Sequence, residues 1–144
     1  MTISPVEGYE VSTDRQRLDL DAVHAFLVTA YWSPGLPRPL MERAIANSMC
    51  FGVYAADGSQ AGFARVVTDS THFAYLADVF VLPQHRGRGL GAWLVEAILT
   101  HPDLQTVRRW SLGTADAHGL YARFGFGPAR RPGRMMWRES DPGW

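Results

Sequence analysis

Lysine is missing altogether: all 14 basic residues are arginine, so lysine nucleophiles and Schiff bases are excluded. Cysteine occurs once, at Cys50. No disulfide can close within the chain, and a reducing compartment, the cytoplasm, is expected. No apolar run approaches the roughly 18 residues of a membrane span. The opening Met1-Thr2-Ile3-Ser4-Pro5-Val6-Glu7 lacks the basic stretch and apolar run of a secretory leader. Fourteen basic residues balance fourteen acidic ones, which removes any general pull toward nucleic acid or an anionic membrane. Histidines 24, 72, 85, 101 and 118 show no ligand spacing, so no metal is expected. Internal repeats, low-complexity tracts and linkers are absent as well.

What remains describes an ordinary folded chain. With 144 residues, 47% hydrophobic and 19% charged, it suits one domain over 1–144 with a proper core. Periodicity and turn signals predict the element order. Tyr9 to Thr13 reads as a strand. Asp19 or Asp21 caps a helix reaching about Tyr31, with Leu20, Val23, Phe26, Leu27 and Ala30 as its apolar stripe. A proline-rich loop precedes a helix from Leu40 to Met49. Strands follow over Cys50 to Ala55, Ala61 to Thr68 and Phe73 to Leu82, the first two joined at Ala56-Asp57-Gly58-Ser59. Then come a helix from Gly89 to Thr100, a strand from Val107 to Gly113, a short helix from Ala117 to Phe124 and a last strand from Met135 to Arg138.

The most informative stretch is Val79-Phe-Val-Leu-Pro-Gln-His-Arg-Gly-Arg-Gly-Leu-Gly91. A strand runs into three glycines at alternate positions, and a helix opens directly after them. Backbone N–H groups at such a helix start are unpaired, and the helix dipole favours an anion there. Glycine permits the backbone bend and a close approach by phosphate. Gly87, Gly89 and Ala92 also fit the dinucleotide pattern G-x-G-x-x-[G/A]. That pattern needs its first glycine immediately after the strand and an acidic residue about 20 positions on. Here Pro83 to Arg86 intervene, Asp103 lies in a helix-ending turn, and the 53 residues after Gly91 are too few for a doubly wound sheet.

Arg86-Gly87-Arg88-Gly89-Leu90-Gly91 and, downstream, Tyr121-Ala-Arg-Phe-Gly125-Phe126 together resemble the two signatures of the GNAT superfamily of acyl-CoA-dependent N-acetyltransferases. The resemblance covers about residues 10 to 138 and is weakest before residue 50. It implies an α/β fold with a mixed central sheet of six to seven strands and about four helices. Two parallel strands would splay apart in a V around acetyl-CoA, the co-substrate. The pyrophosphate would lie on Arg86, Gly87, Arg88, Gly89, Leu90, Gly91 and Ala92, mostly on backbone N–H groups. The pantetheine arm would run along the backbone of Val79, Phe80 and Val81.

The same resemblance makes Tyr121 the acid that protonates departing thiolate. A phenol near pKa 10 can protonate a thiolate, whose acid lies near 8.5, without ionising first. Asp78, a carboxylate inside an apolar strand, is a candidate base or amine ligand, and His118, three residues before Tyr121 on the same helix face, is a further candidate. Asp116 reads as that helix's N-cap. Tyr31, Trp32, Arg65 and Phe73 are candidate acceptor contacts, for a small-molecule amine or a peptide N-terminus. The apolar Met135-Met136-Trp137 at an edge strand predicts a homodimer. The contrasting reading is a non-catalytic acyl-CoA sensor on the same fold.

Overall fold

The computed structural model describes residues 3–144; Met1 and Thr2 lie outside the described residues. The chain forms two compact units, Met1–Gly113 and Thr114–Trp144.

The first unit is built on a five-stranded sheet in the order β1-β2-β3-β4-β5. Its strands are β1 (Tyr9–Ser12), β2 (Met49–Ala55), β3 (Gln60–Thr68), β4 (Phe73–Val81) and β5 (Arg109–Ser111). The first four form an antiparallel meander, and β5 joins β4 in parallel. Helices α1 (Leu20–Leu27), α2 (Arg38–Ala46) and α3 (Leu90–Leu99) complete this unit.

Strand residues alternate between faces, and both faces are covered. Cys50, Phe63 and Phe80 share a core with Val23 and Leu27 of α1 and Met41 and Ile45 of α2. On the other face α3 lies against β2, β3 and β4. The sequence places Leu90, Leu94, Val95, Ile98 and Leu99 at the three- and four-residue spacings of one helix face; the first four are buried and Leu99 is half-buried. Among the described residues five strands replace the expected six to seven, while the four helices, with α4 below, match.

Several element boundaries differ from expectation. Helix α2 runs Arg38–Ala46 rather than Leu40 to Met49, since Met49 already pairs with Val66 as the first residue of β2, and three further differences have local reasons. Helix α1 stops at Leu27 rather than near Tyr31, because the Ser33 hydroxyl donates to the Leu27 carbonyl at 2.7 Å. Tyr31 and Trp32 thereby leave the helix and enter a loop. Strand β5 is three residues long because only Phe73–Tyr75 of β4 face it. The expected strand at 135–138 is not formed. Its apolar residues have no ladder partner and are all exposed, and β-propensity without a partner specifies nothing.

The β3–β4 hairpin turns on Asp69, whose Oδ1 accepts from the N–H groups of Thr71 and His72 at 2.9 and 2.8 Å. These bonds hold its carboxyl well below the usual carboxylate range. A depressed carboxylate stabilises the fold above its unfolded value, about 3.9, and that stabilisation is lost as pH falls below it. Asp69→Asn should therefore flatten the acid-side decline of the thermal midpoint; an unchanged slope would deny the turn this role.

Gly52 is required for packing rather than for conformation. A Cβ there would overlap the Tyr54 hydroxyl, and the Tyr54 ring is already held under the Arg17 guanidinium at 4.2 Å. Gly52→Ala should destabilise by about 1–3 kcal/mol, the usual cost of overpacking, measurable by denaturant unfolding.

The second unit contains α4 (His118–Ala122). Its N-cap is Ala117 rather than the expected Asp116, and Thr114 Oγ1 accepts from the Ala117 N–H at 3.0 Å. That bond closes a turn ahead of the helix, and no side chain caps α4 itself. The helix closes at Gly125, φ +91°, with Phe126 N–H returning to the Tyr121 carbonyl at 3.2 Å, a left-handed glycine stop.

Candidate active site

β4 continues for six residues beyond its pairing with β5, from Leu76 to Val81, and among the described residues no strand covers that edge. The backbone groups that point to this side, apart from the Val81 carbonyl taken by Arg86, can meet an extended ligand, which is how a strand-like molecule adds to a sheet edge. Val79, Phe80 and Val81 lie on this stretch, with the Phe80 side chain in the core.

The open edge contains a bulge. Phe63 pairs with Phe80 and Arg65 with Ala77, so three steps along β4 match two along β3. Within it Asp78 has φ +54°, a left-handed conformation that aspartate tolerates better than most residues. Such backbone costs about 1–3 kcal/mol and persists where the surroundings over-determine it.

Those surroundings are explicit. Arg65 Nε donates to Asp78 Oδ2 at 2.8 Å and Trp32 Nε1 donates to Oδ1 at 2.8 Å. Arg65 Nη1 also donates to Ser48 Oγ at 3.0 Å, and the Ser48 hydroxyl donates to the Ala44 carbonyl at 2.6 Å. The Arg65 and Asp78 side chains are only 19% and 12% exposed. A pair this buried is weak evidence for stability but effective at fixing geometry.

Downstream of β4, a 3₁₀ turn at Pro83–His85 leads to the glycines. Gly87 and Gly89 have φ of +79° and +86°, and open space surrounds both Cβ positions. Gly89 is the left-handed cap of α3, whose first turn holds Leu90, Gly91 and Ala92. Among the described residues no intramolecular acceptor meets the N–H groups of Gly87 to Ala92; the first helical bond is Trp93 N–H to the Gly89 carbonyl at 3.1 Å. This donor array fits a pyrophosphate.

Neighbouring side chains pin the turn. Arg86 Nε donates to the Val81 carbonyl at 2.9 Å, and Tyr9 Oη shares a 2.8 Å hydrogen bond with His85 Nδ1. Arg88 is exposed. In the second unit Tyr121 is buried at 8% exposure, its ring edge-on to Phe126 at 5.9 Å, and His118 opens the same helix on the surface.

Trp32, Arg65 and Asp78 are thus one hydrogen-bonded network, and Tyr31 stands edge-on to Trp32 at 5.0 Å. Phe73 does not join them: it lies at the opposite end of β4, paired with Arg109. Cys50 sits opposite Arg65 in the β2–β3 register, buried, with its thiol pushed up by that burial, which suits a core residue rather than a nucleophile. Ser48, Phe26 and Tyr9 escape sequence reasoning. Only Phe26 carries a signal, its place on the α1 stripe, and that signal reads as core.

Comparison with known proteins agrees with this geometry. The family model described as acetyltransferase (GNAT) domain matches residues 47–128. A Gibberella zeae protein carrying an acetyltransferase assignment is 34% identical over 138 residues, 80% of this chain and 76% of that one. The mycothiol acetyltransferase of Saccharopolyspora erythraea is 35% identical over 116 residues, 71% of this chain, although the match spans only 37% of the relative. A crystal structure from Xanthomonas campestris pv. campestris, described as belonging to the GNAT family, is 49% identical. It superposes with a TM-score of 0.90, covering 94% of this chain and 96% of that one.

Proposed function

Because the chain belongs to the GNAT family and is an acetyltransferase, we propose that it moves the acetyl group of acetyl-CoA to a primary amine by direct attack in a ternary complex. The observation that carries this reading is the pairing of a β4 edge with the N–H groups of Gly87 to Ala92 at the following helix start, neither met by a partner among the described residues. The first suits the amides of a pantetheine arm, the second its pyrophosphate. The two units form one catalytic domain in this reading.

The reaction balances simply. The acceptor nitrogen, once neutral, attacks the thioester carbonyl carbon; a C–N bond forms and the C–S bond breaks. The leaving thiolate takes a proton from Tyr121, in the role its motif implies. The proton lost by the amine goes to Asp78, and solvent exchange resets both groups. His118 is the alternative acid, one helical turn from Tyr121.

Tyr31, Trp32 and Arg65 support an acceptor that is a small amine or a peptide N-terminus, since an aromatic wall beside an ion pair suits a polyfunctional molecule. The lone buried thiol of Cys50 suits a reducing cytoplasm.

Thiol release from acetyl-CoA against an amine panel, beside calorimetric binding of acetyl-CoA alone, tests the reading. Turnover on at least one amine is expected. Binding without turnover on any would favour the acyl-CoA sensor, and no binding would end both readings. A homodimer is also proposed, from Met136 and Trp137, 94% and 78% exposed. Light scattering at micromolar concentration should give about twice the 16.0 kDa chain mass; a monomer would refute it.

A further inference from the structure

We infer that Arg65 and Trp32 are positioning residues that hold Asp78 in its left-handed bulge, and so set both the shape of the open β4 edge and the direction of the Asp78 carboxylate. The inference rests on the acetyl-transfer reading above for its consequence, though not for its geometry.

Among the described residues only Ser70 and Asp78 combine positive φ with a side chain. Ser70 lies in the hairpin turn, where such backbone is ordinary. Asp78 lies inside a strand, where nothing local asks for it: Leu76-Ala-Asp-Val-Phe80 contains neither glycine nor asparagine. The conformation must therefore come from contacts distant in sequence, and the Asp78 carboxylate has two. Trp32 arrives from the loop after α1 and Arg65 from β3, one donor on each oxygen.

Both donors are themselves braced. Arg65 is tied through Ser48 Oγ to the end of α2. Trp32 touches Phe26 with ring centroids 6.2 Å apart, and Phe26 stacks on Phe80 at 4.1 Å. Phe80 is two residues beyond Asp78 on the same strand. The contacts Asp78–Trp32–Phe26–Phe80 thus close a circuit around the bulge, and Arg65 locks it from the side.

This arrangement leaves the carboxylate usable. An ionised carboxylate offers about four acceptor positions, and Arg65 and Trp32 occupy one on each oxygen. The remaining positions are directed by the clamp rather than by free rotation of the side chain. A bulge beside a site typically re-aims a side chain or ends strand pairing; here the extra residue is the carboxylate itself, on the edge that β5 leaves open.

The test uses the intact chain and separates the clamp from the activity. In the ligand-free protein, the three-bond amide–Hα coupling of Asp78 reports its φ, and the amide shifts of residues 76–81 report the edge. Trp32→Phe removes one N–H donor and keeps a ring; Arg65→Gln removes the charge. Both should alter the Asp78 coupling and the edge shifts. Turnover with the best amine of the panel should fall, by up to about 100-fold for a misplacement near 1 Å. Asp78→Gly adopts the bulge without strain and has no carboxylate to aim, so adding Trp32→Phe to it should cost clearly less turnover than the same change costs the wild-type chain, the remainder being the contact of Trp32 itself with the acceptor. Unchanged coupling and shifts in both Trp32→Phe and Arg65→Gln would overturn the inference, as would a full additional loss in the Asp78→Gly background. If the wild type binds acetyl-CoA but acetylates no amine, the function reading fails alone, and the coupling still decides the clamp.

Discussion

Gly89→Val should weaken acetyl-CoA binding severely while the protein stays folded. Crowding is not the cause, because open space surrounds the Cβ position. The cost comes instead from φ +86°, which a β-branched residue adopts only as a genuine outlier. The strain, about 1–3 kcal/mol, is relieved when the cap leaves the left-handed region. The N–H groups of Gly87 to Ala92 then no longer converge. A loss of roughly 10- to 100-fold in affinity corresponds to that strain, at about 1.4 kcal/mol per factor of ten. Gly89→Asn is the control, because asparagine tolerates left-handed backbone, and it should retain most of the affinity. Calorimetry on both variants decides. Equal losses would indicate bulk rather than conformation, and wild-type affinity in a folded Gly89→Val would remove the phosphate from this turn.

Tyr121→Phe should lower turnover by about 10²–10⁴-fold, the usual worth of general acid assistance, with little change in acetyl-CoA affinity. The ring packs edge-on against Phe126, and phenylalanine preserves that contact, so folding should survive. The comparison isolates the hydroxyl when chemistry limits the rate; single-turnover kinetics establish whether it does. Wild-type turnover would return Tyr121 to a packing role and shift attention to His118. A trapped acetyl-enzyme with ping-pong kinetics would rule out direct transfer altogether.

The parts of this molecule that sequence reveals are those fixed by local chemistry. The glycines at 87 and 89 advertise a left-handed turn because few other residues enter it cheaply. The α3 stripe follows from spacing, and so does the meander of β2, β3 and β4. The Asp78 bulge is not legible, since its causes lie 13 and 46 residues away at Arg65 and Trp32. The early end of α1 depends on one hydroxyl, Ser33, reaching back six residues. At 135–138 the apolar run Met135-Met136-Trp137 is real, yet a strand exists only with a partner, and no pattern within four residues supplies one. Asp78 itself was readable as a candidate from its chemistry alone; its conformation was not.

The turn between β4 and α3 presents donors that belong to the main chain, and this shapes what mutational surveys will see. Truncating Arg88 or Leu90 to alanine leaves every one of those N–H groups in place, so a conventional alanine scan would pass over the segment nearly silent. Leu90 would register only through lost burial. Sensitivity should concentrate at Gly87 and Gly89, where the backbone conformation and not a side chain is at stake. The informative experiment here is a scan by conformational tolerance: glycine, asparagine, alanine and valine in turn at each of the two positions. Drift at Arg88 would then carry little penalty, and side-chain variety at that position would be a poor guide to whether the site is kept.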